Sequence, residues 1–161
     1  MISDVTVVVA TRNRRARLFE TIPRHEGPVI LVDNGSDDGS PDAIEQAFPR
    51  VTVVRLGENR GAAARNVGVE LARTPYVAFA DDDSYWVPGA LAGAATLLRD
   101  HPRVGLLCAR VLVGPQGGVQ LGVGVGVAEG GVAVRVGLAP PGVGVPCWGT
   151  ELTAARAPTR P

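Results

Sequence analysis

Residues Val5 to Ala10, Val-Thr-Val-Val-Val-Ala, form a continuous, largely β-branched run. A strand with one wet face alternates apolar and polar side chains. A strand covered on both faces does not, and that pattern belongs to parallel sheets with helices above and below. The run therefore restricts the chain to α/β architectures built on an open, mostly parallel sheet. Further strands are predicted at Val29 to Val32, Val51 to Leu56, Tyr76 to Ala80 and Val104 to Val113. Helices are predicted between them over Arg15 to Ile22, Ser40 to Phe48, Ala62 to Arg73 and Pro88 to Asp100. Ser40 followed by Pro41 reads as an N-cap with proline at the first helical position. Ala62, Ala63, Ala64 and Gly68 keep the third helix slim enough to approach a sheet closely.

In such sheets ligands bind beyond the carboxyl ends of the strands. The polar turns expected there are Thr11-Arg12-Asn13-Arg14, Asp33-Asn34-Gly35-Ser36-Asp37-Asp38, Gly57-Glu58-Asn59-Arg60-Gly61 and Asp81-Asp82-Asp83. The last is the most demanding. Three adjacent carboxylates repel one another unless a cation or hydrogen-bond donors compensate them, and an all-oxygen set suits a hard ion such as Mg²⁺ or Mn²⁺. If the chain stays extended, Asp81 and Asp83 point to one side and Asp82 to the other. The alternative is a solvated turn that caps the helix from Pro88. Arg60 and Arg65 flank a helix start, where backbone N–H groups and the helix dipole favour an anion; the alternative for both, and the better reading for Arg65, is an ordinary surface arginine.

Composition narrows the chemistry. The 161 residues carry 16 basic and 16 acidic side chains, so no net charge draws the chain to nucleic acid or an acidic membrane surface. Every basic residue is arginine. With no lysine there is no P-loop, and with no glycine cluster after Val5 to Ala10 there is no dinucleotide fingerprint. Cys108 and Cys147 lack metal-ligand spacing and read as reduced thiols of a cytoplasmic protein. Met1 to Asp4 leads straight into a strand, which predicts neither a signal peptide nor a transmembrane segment. His25 and His101 sit beside turns or helix ends and are assigned no catalytic role.

Taken together, the strand with Thr11-Arg12-Asn13-Arg14, the Val32 to Asp37 motif, Asn59-Arg60-Gly61 with Ala64-Arg65-Asn66, and Phe79 to Asp83 followed by Pro88 resemble the nucleotide-sugar-binding half of the family-2 glycosyltransferases. The resemblance runs from Val5 to about Val113 and implies the Rossmann-like GT-A fold. It implies that Thr11, Asp33 and Asn34 contact the base and ribose of a nucleoside-diphosphate sugar, with an amide at Asn34 where many relatives carry a base-reading aspartate. Arg60 is then expected near the pyrophosphate and Asp82 near the ribose or sugar. Asp83 is expected on a Mn²⁺ or Mg²⁺ ion, with Asp81 at the other end of the Asp-x-Asp signature. The implied reaction is inverting transfer of the sugar to an unknown glycan, lipid or small-molecule acceptor. The alternative is a non-catalytic, nucleotide-binding remnant.

Beyond Gly114 the chain turns to Gly-Val alternation and Pro-rich segments, which gives two domains, 1–114 as the nucleotide-sugar half and 115–161 as a tail. The tail is expected to be poorly ordered, a low-complexity segment or the product of a frameshift or truncation in a GC-rich gene, with no clear strand register. Glu129 and Glu151 are its acidic residues, and neither lies in a motif expected of a general base.

Overall fold

The computed structural model describes residues 4–109 and, beyond them, short strands at 120–121, 123–127, 133–134, 138–139 and 152–153. The elements run β1 (Val5–Thr11), α1 (Arg15–Thr21), β2 (Val29–Asp33), α2 (Ser40–Ala47), β3 (Val51–Arg55), α3 (Ala64–Leu71), β4 (Tyr76–Asp81), α4 (Ala90–Asp100) and β5 (Leu106–Ala109), followed by β6 (Gln120–Leu121) and β7 (Val123–Val127). The main sheet has the order β3-β2-β1-β4-β7-β5. Its first four strands are parallel, and β7 pairs antiparallel with β4 and β5.

The continuous apolar run of β1 is explained by a helix layer on each face. Val5, Val7 and Val9 point into one core with Leu18 of α1, Ile44 of α2, and Leu91, Ala95 and Leu98 of α4. Val8 points the other way and joins Ile30, Val32, Val77, Phe79 and Ala64 of α3. Gly68 is the reason α3 sits so close: a Cβ there would fall well inside contact distance of Val8 and within 3.2 Å of Val32.

Two helix starts differ from the sequence expectation for the same reason. Gly39 (φ 72°), not Ser40, occupies the N-cap of α2, and Ser40 is a buried first helical residue. Gly89 (φ 80°) caps α4, which begins at Ala90 rather than Pro88. In both places a left-handed glycine, which pays no Cβ penalty there, turns the chain into the helix. The third helix opens with a 3-10 turn at Gly61–Ala63 before α3 proper.

The Gly-Val alternation was expected to give no clear register, yet Val123–Val127 pairs in a defined one, with Val125 opposite both Ala78 of β4 and Leu107 of β5. Ladder pairing with a neighbouring strand on each edge fixes that register. The remaining expectations for the tail, with Cys147, Glu129 and Glu151, lie outside the described residues.

Candidate functional site

Parallel register brings the expected residues to one edge. Thr11 is opposite Asp33 across the β1–β2 pair, and Ala10 is opposite Asp81 across β1–β4. Strands β2 and β3 lie to one side of β1 and β4 to the other, so the order reverses between β1 and β4. That reversal opens a crevice at the carboxyl ends of the strands.

On the β2 side, Asp33 is 3% exposed, and its Oδ2 accepts from the Ser36 backbone N–H at 3.1 Å. Its Oδ1 is buried and has no donor among the described residues. A buried carboxylate oxygen without a donor is costly, and a native fold keeps one where a ligand or water completes it. Asn34 is also buried, but both ends of its carboxamide are used: Oδ1 accepts from Arg60 N–H at 2.8 Å, and Nδ2 donates to the Gly61 carbonyl at 2.9 Å. Asn34 thus fixes the turn before α3, and its own N–H donates to the Thr11 carbonyl at 2.8 Å. The Arg60 side chain is exposed and pairs with Glu58 at 2.9 Å.

On the β4 side, only Asp81 belongs to the strand. The chain turns at Asp82 and Asp83, and the Ser84 N–H donates to the Asp81 carbonyl at 3.1 Å. The expected alternation of the three carboxylates required extended backbone, so it does not extend past Asp81. The cluster is both a turn and a set of carboxylates at the sheet edge. The Asp81 side chain forms an ion pair with Arg65 of α3. Asp82 accepts from the Thr11 hydroxyl at 3.1 Å, and its carbonyl accepts from the Thr21 hydroxyl at 3.0 Å. Burial raises the Asp82 pKa above the ordinary carboxylate value; the Thr11 hydrogen bond and Arg14 oppose this, and Asp83 and Asp81 add to it. Asp83 is exposed. Among the described residues no group of three or more acidic, His or Cys side chains is arranged to enclose a cation by itself.

Neighbouring loops hold this edge in place through residues the sequence reading did not single out. Asn13, at φ 55°, donates its N–H to Ser36 Oγ at 2.9 Å and accepts the Asp37 N–H on Oδ1 at 2.9 Å. Asp38 accepts the N–H groups of Arg15 at 3.1 Å and Ser40 at 2.9 Å, along with the Ser40 hydroxyl. Burial pushes its pKa up, but these hydrogen bonds prevail and hold it below the ordinary value. An asparagine in a turn was the available signal for Asn13, since that residue tolerates the left-handed region. Nothing local in the sequence pairs it with Ser36.

Comparison with known proteins agrees with this geometry. The succinoglycan biosynthesis protein ExoU of Rhizobium meliloti is 30% identical over 98 residues, covering 55% of this chain and 29% of that protein. The structure of S. aureus TarS 1-349 in complex with UDP-GlcNAc matches with a TM-score of 0.58 and 25% identity, over 67% of this chain and 34% of that one. The mannosyltransferase PcManGT of Pyrobaculum calidifontis, in complex with GDP-Man and Mn²⁺, matches with a TM-score of 0.63 and 25% identity, over 78% of this chain and 44% of that one. These neighbours establish the GT-A fold. The chain spans about a third of the length of the curated relatives it matches. Residues 6–120, well over half of the chain, match the family described as Glycosyl transferase family 2, and the chain belongs to that family.

Proposed function

We propose that this chain forms the donor-binding half of a glycosyltransferase that takes a nucleoside-diphosphate sugar and passes the sugar, with inversion, to a glycan, lipid or small-molecule acceptor. The observation that carries the reading is the buried Oδ1 of Asp33, without a donor among the described residues, beside the β1–β4 crevice. A ribose hydroxyl or base N–H would supply the missing hydrogen bond. Thr11 lines the same edge and holds Asp82, which faces the ribose or sugar. Asn34 acts through the turn it clamps, presenting Arg60 and the N–H groups ahead of α3 to the pyrophosphate. This half takes in residues 1–114, and β7 of the following segment inserts between β4 and β5 of its sheet.

The aspartate cluster fits a divalent ion of the Mn²⁺ or Mg²⁺ type. Such ions are commonly held by one or two carboxylates, with water and substrate phosphate oxygens filling the remaining positions, so an enclosing protein cage is not required. Asp83, exposed and in no hydrogen bond or ion pair among the described residues, would hold it, with Asp81 beside it. When bound, the ion supplies positive charge for the nucleoside diphosphate that leaves as the sugar–phosphate bond breaks. Arg60 adds charge of the same sign from the other side of the crevice. The free thiol of Cys108 is compatible with a reducing, cytoplasmic site of action, and no helix among the described residues is long and apolar enough to cross a membrane.

Calorimetric titration of the chain with UDP, GDP and dTDP, each with and without Mn²⁺, tests the reading. Metal-dependent binding of at least one nucleotide is expected, and Asp83→Ala should abolish it while the melting temperature holds or rises slightly, because one repelling carboxylate is gone. A folded chain that binds none of the three would overturn the proposal.

A further inference from the structure

Arg65 is the second residue of α3, and its guanidinium crosses the end of the β1–β4 crevice to the carboxylate of Asp81. The contact is partly sheltered, with the side chains 21% and 41% exposed. It joins two features that the proposed function uses separately: the helix start that favours a phosphate and the carboxylates that favour a cation. With Arg65 in this position, one Asp81 oxygen already has a positive charge as its partner. Arg60 makes no such contact, since it pairs with Glu58 on the surface.

We propose that Arg65 is a resident counter-cation of the aspartate cluster: it competes with the divalent ion for Asp81 in the nucleotide-free protein, and the incoming diphosphate draws it off. This rests on the donor-site reading above. The consequence is an ordered site that holds metal weakly alone and well together with a nucleoside diphosphate, because the diphosphate offers the displaced guanidinium a new anionic partner. Arg65 is on this account a positioning residue that couples two ligands. It also keeps the three carboxylates tolerable without metal, since like charges on adjacent residues otherwise destabilise the turn.

The test is Mn²⁺ binding to the full chain, followed by the paramagnetic resonance signal of the free ion, for the wild type, Arg65→Gln and Arg65→Lys. Each protein is titrated alone and again with saturating UDP or GDP. Without nucleotide, Arg65→Gln should bind Mn²⁺ roughly tenfold more tightly, within the range usual for coupled sites, and Arg65→Lys should stay near the wild type. The tightening of Mn²⁺ binding by nucleotide should shrink by the same factor in Arg65→Gln. A melting curve accompanies each variant, and Mn²⁺ should raise the melting temperature of Arg65→Gln more than that of the wild type. Equal or weaker Mn²⁺ binding by a folded Arg65→Gln, with wild-type binding intact, would leave Arg65 a purely structural partner of Asp81 and overturn the proposal. Absence of Mn²⁺ binding in the wild type both with and without nucleotide would overturn the donor-site reading along with it.

Discussion

Asp82 carries opposing influences that make it the most informative single residue. Burial, Asp83 and Asp81 favour its neutral form, while the Thr11 hydroxyl and Arg14 favour its anion. Removing the hydrogen bond in Thr11→Val should move the Asp82 pKa further up, visible as a later midpoint in a carboxyl-carbon NMR titration. A carboxyl whose folded pKa lies above its unfolded value makes the native state bind more protons, so its contribution to stability falls as pH rises through that window. Asp82→Asn should therefore raise the melting temperature at neutral pH more than at mildly acid pH, and a parallel shift at both would contradict the assignment.

Helices and loops are fixed by close fits at a few positions. Gly68 lets α3 rest on Val8 and Val32, and Gly68→Ala sets a gain in helix propensity of about 1 kcal/mol against overpacking that costs about 1–3 kcal/mol. The added Cβ would meet the Cγ methyls of Val8 and Val32, which belong to buried, β-branched side chains with little rotamer freedom, so net destabilisation is expected in urea unfolding. Asp38 stands in for the N-cap of α2 and ties it to α1 through Arg15. Asp38→Ala should cost about 1 kcal/mol at neutral pH by the same measurement, the usual size of a lost cap. Gly35 has a different restriction: it lies at φ 75°, and an added Cβ would meet the Glu58 backbone at 3.1 Å. Gly35→Ala should weaken nucleotide binding by pushing apart the two turns that Asn34 joins, and unchanged calorimetric affinity would show that those turns tolerate the shift.

For the whole molecule, acid stability depends on His25, whose chain neighbours Arg24 and Glu26 are hydrogen-bonded to Tyr85 and Gly89. Both His25 ring nitrogens are buried without partners among the described residues, and burial lowers its pKa to about 4. The unfolded chain takes up a proton near the ordinary value of about 6.5, which the folded chain resists, so stability falls as pH drops from there toward the folded value. The loss approaches an order of 3 kcal/mol for a shift of this size. His25→Leu leaves no polar ring atom unpaired and should flatten the difference in urea-unfolding free energy between pH 7 and pH 4.5. An unchanged difference would assign the acid sensitivity to the carboxylates instead.

The sequence by itself determined the parallel sheet, the order of its strands and helices, and the motifs that end at one edge. These are local matters: an unbroken apolar run, a glycine or proline at a turn, and charge placed where a strand stops. The same local reading expected Thr11, Asp33, Asn34, Arg60 and the three aspartates at that edge; the parallel register sets Thr11 beside Asp33 and Asp81 beside Ala10, and hydrogen bonds tie Asn34 to Arg60 and Asp82 to Thr11. What each side chain is free to do was decided only in three dimensions. Asn34 is committed to a turn 26 residues away, Asp82 to Thr11 across 71 residues, and Asp81 to a helix 16 residues before it. The register of the Gly-Val stretch is set against β4 and β5. Spacing along the chain can bring such groups to one edge, but their partners depend on how strands align and how closely α3 approaches. Those distances are set by the packed core.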